Sequence, residues 1–273
     1  MTVLIEVLAA LFALAATATT PSPTPPPLPT PSCSPPCSVA VVFSENFDNV
    51  TPPALPPGWI ATNAQGPPPF WVTSNGGVLP PPYDSPPNAA FIDDPDVVSD
   101  KRLDSVPISF PIWSPETPLT FRHSFNLEAS TKDPNLGFDG GVLEISTDGG
   151  NTFQDILDVG GTFLQGGYNR TISTDRGSPI GGRQAWSGNS GGFITTAITL
   201  PFITSSLTLR WRMASDTTGT GEGWRVDTIY AAWCLPFPCE TPSPTPSATP
   251  TPTATPRVTP RSRPTPHPRP TSP

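Results

Sequence analysis

Apolar residues fall at every second position through the middle of the chain, and no long stretch with a 3.6-residue period competes with that alternation. In LTFRHSFNLE (119–128), Leu119, Phe121, His123, Phe125 and Leu127 share one face, while Thr120, Arg122, Ser124, Asn126 and Glu128 share the other. LTLRWRM (207–213) repeats the arrangement, with Leu207, Leu209, Trp211 and Met213 opposite Thr208, Arg210 and Arg212. This pattern predicts antiparallel strands with one face on a core and the other in solvent. Weaker alternation predicts strands at 40–44, 69–73, 141–146, 152–157, 193–199 and 224–232, separated by clusters of Gly, Pro, Asn and Asp. Many short strands with long turns make an all-β fold, a two-sheet antiparallel jelly-roll sandwich in which the first and last strands adjoin.

Composition narrows where that fold can lie. The 273 residues include 43 prolines, concentrated in 19–38 and 240–273, which are almost wholly Pro, Thr, Ser, Ala and Arg. Such tracts bury too little apolar surface to offset their ordering entropy, so they are expected to be disordered Pro/Thr-rich flanks. Residues 3–18 form an apolar run ending Ala16-Thr17-Ala18, too short to span a membrane and followed at once by proline. The expected organisation is a signal peptide at 1–18, a linker at 19–38, one sandwich domain at 39–239 and a tail at 240–273, in a secreted or cell-surface protein.

The net charge of −8 hides a stronger asymmetry, because Arg257, Arg261, Arg263 and Arg269 all sit in the tail. Residues 39–239 carry 20 Asp and Glu against 10 Lys and Arg, a net of −10. That field disfavours nucleic acid and anionic lipid and favours cations, while the basic tail offers a contact to an acidic cell-wall polymer. The mature chain is not expected to insert into a membrane.

Cys33 and Cys37 precede the first strand, and Cys234 and Cys239 follow the last. In an exported protein they read as two disulfides, either as two local loops or as a clasp between the ends; a four-thiolate zinc site is the alternative.

Catalytic chemistry finds little footing. There are two histidines, His267 in the tail and His123 on the core face between Phe121 and Phe125. No zinc-protease or phosphate-loop motif occurs. The segment Ser146-Thr147-Asp148-Gly149-Gly150-Asn151-Thr152-Phe153 fits an Asp-box, whose chemistry is that of a turn. A glycan-acting hydrolase with two cleft carboxylates is the enzymatic alternative, and a purely structural spacer is another.

The acids suggest calcium, which gathers six to eight oxygens from separate loops. Glu45, Asp48, Asp94, Asp139 and Asp227 are the candidate ligands, drawn from ENFD, AFIDDPDVVSD, GFDGG and WRVDTI. Trp59, Trp71, Trp113 and Trp186 fall in or beside predicted loops and are candidates for a sugar-stacking platform.

The series ENFDNVTPPALPPGW (45–59), SPPNAAFIDDPDVVSDKRLDS (85–105), FDGGVLEISTDGG (138–150), AWSGNSGGF (185–193), LRWRMASD (209–216) and GWRVDTI (223–229) resembles the secreted bacterial sandwich modules related to MAM domains. Similar modules are the C-terminal domain of immune inhibitor A-type metallopeptidases, cleaved-adhesin domains and choice-of-anchor modules. The resemblance implies a non-catalytic, galactose-binding-like jelly roll, with calcium bridging the early Glu of E-x-F and the Asp of V-D-x-I, here Glu45 and Asp227. No metallopeptidase motif accompanies it, so proteolysis is not carried over. The expected function is a calcium-stabilised adhesion module for an extracellular glycan or protein.

Overall fold

The computed structural model describes residues 37–76, 82–110, 118–201 and 206–236, with the backbone alone for 37–38 and 233–236. They belong to one compact unit that ends at Pro236. The expected signal peptide, most of the linker, the tail, Cys33, Cys239 and Trp113 lie outside the described residues.

The described residues contain strands and no helix, so none that is long and apolar enough to cross a membrane. β1 (Cys37–Glu45), β2 (Ile60–Gln65), β3 (Val72–Ser74), β4 (Ala89–Ile92), β5 (Ser99–Asp104) and β6 (Ile108–Ser109) come first. β7 (Pro118–Asn126), β8 (Leu136–Gly137), β9 (Gly140–Ser146), β10 (Gln154–Asp155) and β11 (Thr162–Gln165) follow. β12 (Arg170–Ile172), β13 (Gln184–Ala185), β14 (Ile194–Thr199), β15 (Ser206–Ser215) and β16 (Gly223–Pro236) complete the order. One antiparallel sheet runs β11-β14-β7-β16-β4-β3, with β1 also on β16, and the sheet facing it runs β10-β9-β15-β5-β2, with β6 also on β15. A small third sheet, β13-β12-β8, contains a parallel pair. The two-sheet sandwich is the expected fold class, and its terminal strands do adjoin: Cys37 lies opposite Pro236 and Glu45 opposite Ile229.

The core forms where the alternation said it would. Phe121 of β7 meets Trp211 of β15 edge to face across the sandwich at 5.7 Å, and Trp59 stacks on Trp211 at 5.8 Å. Burying each such large side chain stabilises the fold by roughly 1.5–3 kcal/mol. Trp224 of β16 reaches across to β9, where a Cβ at Gly141 would come within 2.6 Å of the indole ring. Glycine at 141 is therefore what lets the two sheets close over that tryptophan.

His123 is completely buried, as the sequence placed it. The Trp224 indole N–H donates to its Nδ1 at 3.2 Å, which leaves the proton on Nε2 to donate to Thr196 Oγ1 at 2.9 Å; that hydroxyl donates on to the Gly166 carbonyl at 2.7 Å. Burial, seconded by the Arg122 charge, pushes the imidazole down to about 3.

The opposite faces depart from expectation. Thr120, Arg122 and Ser124 of β7 were expected in solvent and are buried. Arg122 donates to Asp84, to the Thr195 hydroxyl and to the Phe193 carbonyl, so the connection before β4 folds back over the sheet. On the other sheet the outer residues pair in a ladder: Arg210 with Asp104, Arg212 with Asp100 and Glu144, and Arg183 with Glu144 and Asp155. Alternation marks which residues are polar, but not what covers them.

Candidate functional site

Four connections end at one end of the sandwich, because β4, β7 and β15 finish there and β9 and β16 begin there. Asp94 follows β4, Glu128 follows β7, Asp139 precedes β9 and Asp216 follows β15. Carboxylate oxygens of Glu128, Asp139 and Asp216 lie within 4.8 Å of one another. The Asp94 carboxyl lies against that of Asp139.

Local hydrogen bonds hold each acid in place. Asp94 Oδ2 accepts the Glu128 amide at 3.1 Å and the Gly221 amide at 2.9 Å. Asp139 Oδ1 accepts the Asp216 amide at 2.6 Å, and Asp216 Oδ1 accepts the Thr218 amide at 2.8 Å. Gly219, at φ +86°, runs against the Glu128 carboxylate, and a Cβ there would collide with it. Burial, with the neighbouring Asp94 and Asp216 charges, drives the Asp139 carboxyl far above the ordinary carboxylate range. Asp94 is raised by burial and by the Glu128 charge, and Glu128 by burial and the Asp216 charge. Arg176, whose guanidinium stacks on Phe138 at 4.5 Å, lies 3.9 Å from Glu128 and offsets part of the charge.

The sequence reading named Asp94 and Asp139 but placed Glu128 on a solvent face and passed over Asp216. The signal was present. Glu128 closes the alternating run 119–128, and Asp216 comes three residues after the run 207–213.

Asp48 and Asp227 gather elsewhere, around Ser85, while Glu45 ends β1 opposite Ile229. Asp227 Oδ2 accepts the amides of Asp84 and Ser85 at 2.7 and 2.9 Å, and its Oδ1 accepts the Thr228 amide at 2.6 Å. The Ser85 hydroxyl reaches both Asp48 and Asp227, at 3.2 and 3.3 Å. Glu45 Oε1 accepts the amides of Asn46 and Phe47 at 3.0 and 2.7 Å. Phe47 and Thr228 are the non-glycine residues with positive φ among those described, at 60° and 46°. Glu45 and Asp227 thus receive the amides of the two left-handed non-glycine residues. Burial pushes the Asp227 carboxyl up to about 7 against the lowering effect of its amide donors.

Among the described residues the tryptophan platform is not formed. Trp59, Trp71 and Trp186 are 8%, 1% and 1% exposed, each packed in the core, so no indole face is left for a sugar. Trp186 donates its N–H to the Gly166 carbonyl, and Trp71 donates to the Lys101 carbonyl across the sheets. Of Cys37 and Cys234 the backbone alone is described, with Val39 opposite Cys234. The Asp-box is the turn it was read as: Asp148 accepts the amides of Asn151 and Thr152 and the Thr152 hydroxyl, and Ser146 accepts the Gly150 amide.

An open groove of about 620 Å³ adjoins the four-acid cluster. Asn126, Glu128, Ser130, Arg170, Asn189 and Thr220 are among its walls.

No family model and no curated protein matches this chain. Among solved structures it is similar to the K2 cleaved adhesin domain of Lys-gingipain, at 17% identity over 69% of this chain and 96% of that one, with a TM-score of 0.42. The K1 cleaved adhesin domain of Lys-gingipain from Porphyromonas gingivalis W83 is similar at 16% identity over 71% and 97%, with a TM-score of 0.40. For the K3 domain from the same source the values are 17%, 71% and 99%, with a TM-score of 0.38.

Proposed function

We propose that this protein is an extracellular, non-catalytic binding module, braced by calcium, that engages a glycan or a protein through the loops at the acid-lined end of the sandwich. The observation that carries this reading is the convergence of Glu128, Asp139 and Asp216 from three separate connections, with Asp94 from a fourth against Asp139, beside an open groove. A hydrolase needs two carboxylates facing each other across space that a substrate can enter. Here Asp94, Asp139 and Asp216 are buried, and of the four only Glu128 borders the groove. Loops on a rigid sandwich are the usual carriers of recognition, and this groove offers amide, hydroxyl and guanidinium groups for hydrogen bonding. The apolar run at 3–18 and the proline tract after it support export.

The full chain, screened against glycan arrays and extracellular proteins in calcium, is expected to retain a ligand that Asn189→Trp, which fills the groove, no longer holds. Retention unchanged by that substitution would move the contact surface elsewhere. Turnover of a retained glycan would replace the binding module with the hydrolase.

A further inference from the structure

Each acid of the four-residue cluster keeps one oxygen that accepts nothing from the rest of the chain, Asp94 Oδ1, Glu128 Oε2, Asp139 Oδ2 and Asp216 Oδ2, with the Asp94 and Asp139 carboxyls meeting only each other. Asp94, Asp139 and Asp216 are 2%, 0% and 1% exposed, so water does not reach these oxygens. A buried polar atom left unpaired costs roughly 1–3 kcal/mol, and more if charged, so four together at one point call for a common partner. The second oxygens of Asp94, Asp139 and Asp216 are fixed by backbone amides, which prevents the side chains from swinging away. The spread of at most 4.8 Å among the Glu128, Asp139 and Asp216 oxygens is about twice a ~2.4 Å calcium–oxygen distance.

We propose that Asp94, Glu128, Asp139 and Asp216 form one calcium site, and that Glu45, Asp48 and Asp227 are not its ligands. This rests on the calcium reading above and gives it a ligand set. An all-oxygen donor set selects a hard cation, and ligands from four loops suit calcium's flexible coordination better than the tight octahedron of magnesium. At Glu45, Asp48 and Asp227 the carboxylates already accept amides and hydroxyls of the chain, which do there what a cation does in the cluster.

The ion also reaches the groove. The connection that carries Asp216 continues to Thr220 and Gly221, which bond to Asp94 and line the groove. Glu128, on the connection after β7, lines the groove beside them. One cation thereby ties the connection after β15 to the connection after β7.

Calcium chloride titrated calorimetrically into the calcium-stripped full chain is expected to show one ion per chain. Asp139→Asn and Asp216→Asn should weaken it by at least the ~10-fold that losing even a supporting group costs a metal site, while Asp227→Asn leaves the affinity within about twofold. Asp139→Asn keeps the acceptor for the Asp216 amide and replaces the crowded carboxyl with a group that is neutral in the folded and unfolded chain alike, so in calcium-free buffer it should melt above the wild type, which distinguishes lost binding from failed folding. An ion kept by Asp139→Asn and lost by Asp227→Asn overturns this ligand set and leaves the calcium reading standing. No ion bound by the wild type overturns both.

Discussion

Lys101 is completely buried, and its ammonium is paired with Asp93, whose side chain is 34% exposed. Removing the partner leaves a charge that water cannot reach. Asp93→Ala is therefore expected to destabilise the protein by about 3 kcal/mol in urea unfolding, and Asp93→Asn, which keeps an acceptor, by less. If Asp93→Ala unfolded at the wild-type midpoint, the Lys101–Asp93 pair would not hold this part of the fold. His123 gives a pH-dependent counterpart. Its folded value of about 3 lies below the ordinary 6.5 of an unfolded chain, so its contribution is complete above pH 6.5 and is lost as pH falls toward 3, at about 1.4 kcal/mol per unit. Glu45 and Asp227 act on the backbone: Glu45→Ala should lower the melting temperature equally with and without calcium, because it releases the amide of left-handed Phe47 rather than an ion. A loss confined to calcium-containing buffer would return Glu45 to the metal.

At the scale of elements, the sheets are held apart by side chains chosen on both sides of the gap. Gly141→Ala places a methyl into the Trp224 ring, and we expect a cost of about 1–3 kcal/mol, read as a lower denaturation midpoint with an unchanged slope. Strands with apolar alternation, β1, β7, β9, β14, β15 and β16, were all legible in the sequence. β2 and β5 were not. IATNAQ is an edge strand with little to bury, and SDKRLD places a buried Lys101 beside ion-paired Asp100 and Asp104, so neither shows the contrast that period-two reasoning needs. The site was half legible for a related reason. Asp94 and Asp139 stood out in runs of acid and glycine, whereas Glu128 and Asp216 are single acids whose partnership depends on which ends of β7 and β15 lie together, a fact of topology.

For the whole molecule, opposing titrations set the pH of greatest stability. Carboxyls raised in the fold, Asp94, Asp139 and Asp227, contribute below their unfolded value near 3.8 and lose that contribution as pH rises through the folded value, which for Asp227 is about 7. His123 runs the other way. In calcium-free buffer the melting temperature should peak in mildly acid solution and fall toward pH 8. Calcium should lift the alkaline limb selectively, and superimposable curves with and without the ion would show that no cation relieves the cluster.

The pairing of the first strand with the last also fixes how the domain meets tension. Cys37 faces Pro236, so the chain enters and leaves at the same corner, and a pull on the two flanking tracts loads the β1/β16 ladder from its end. Its hydrogen bonds then break one after another, like the teeth of a zipper, rather than together in shear. Unless the cysteines at those ends clasp them together, β1 peels away first while the acid-lined end keeps its shape.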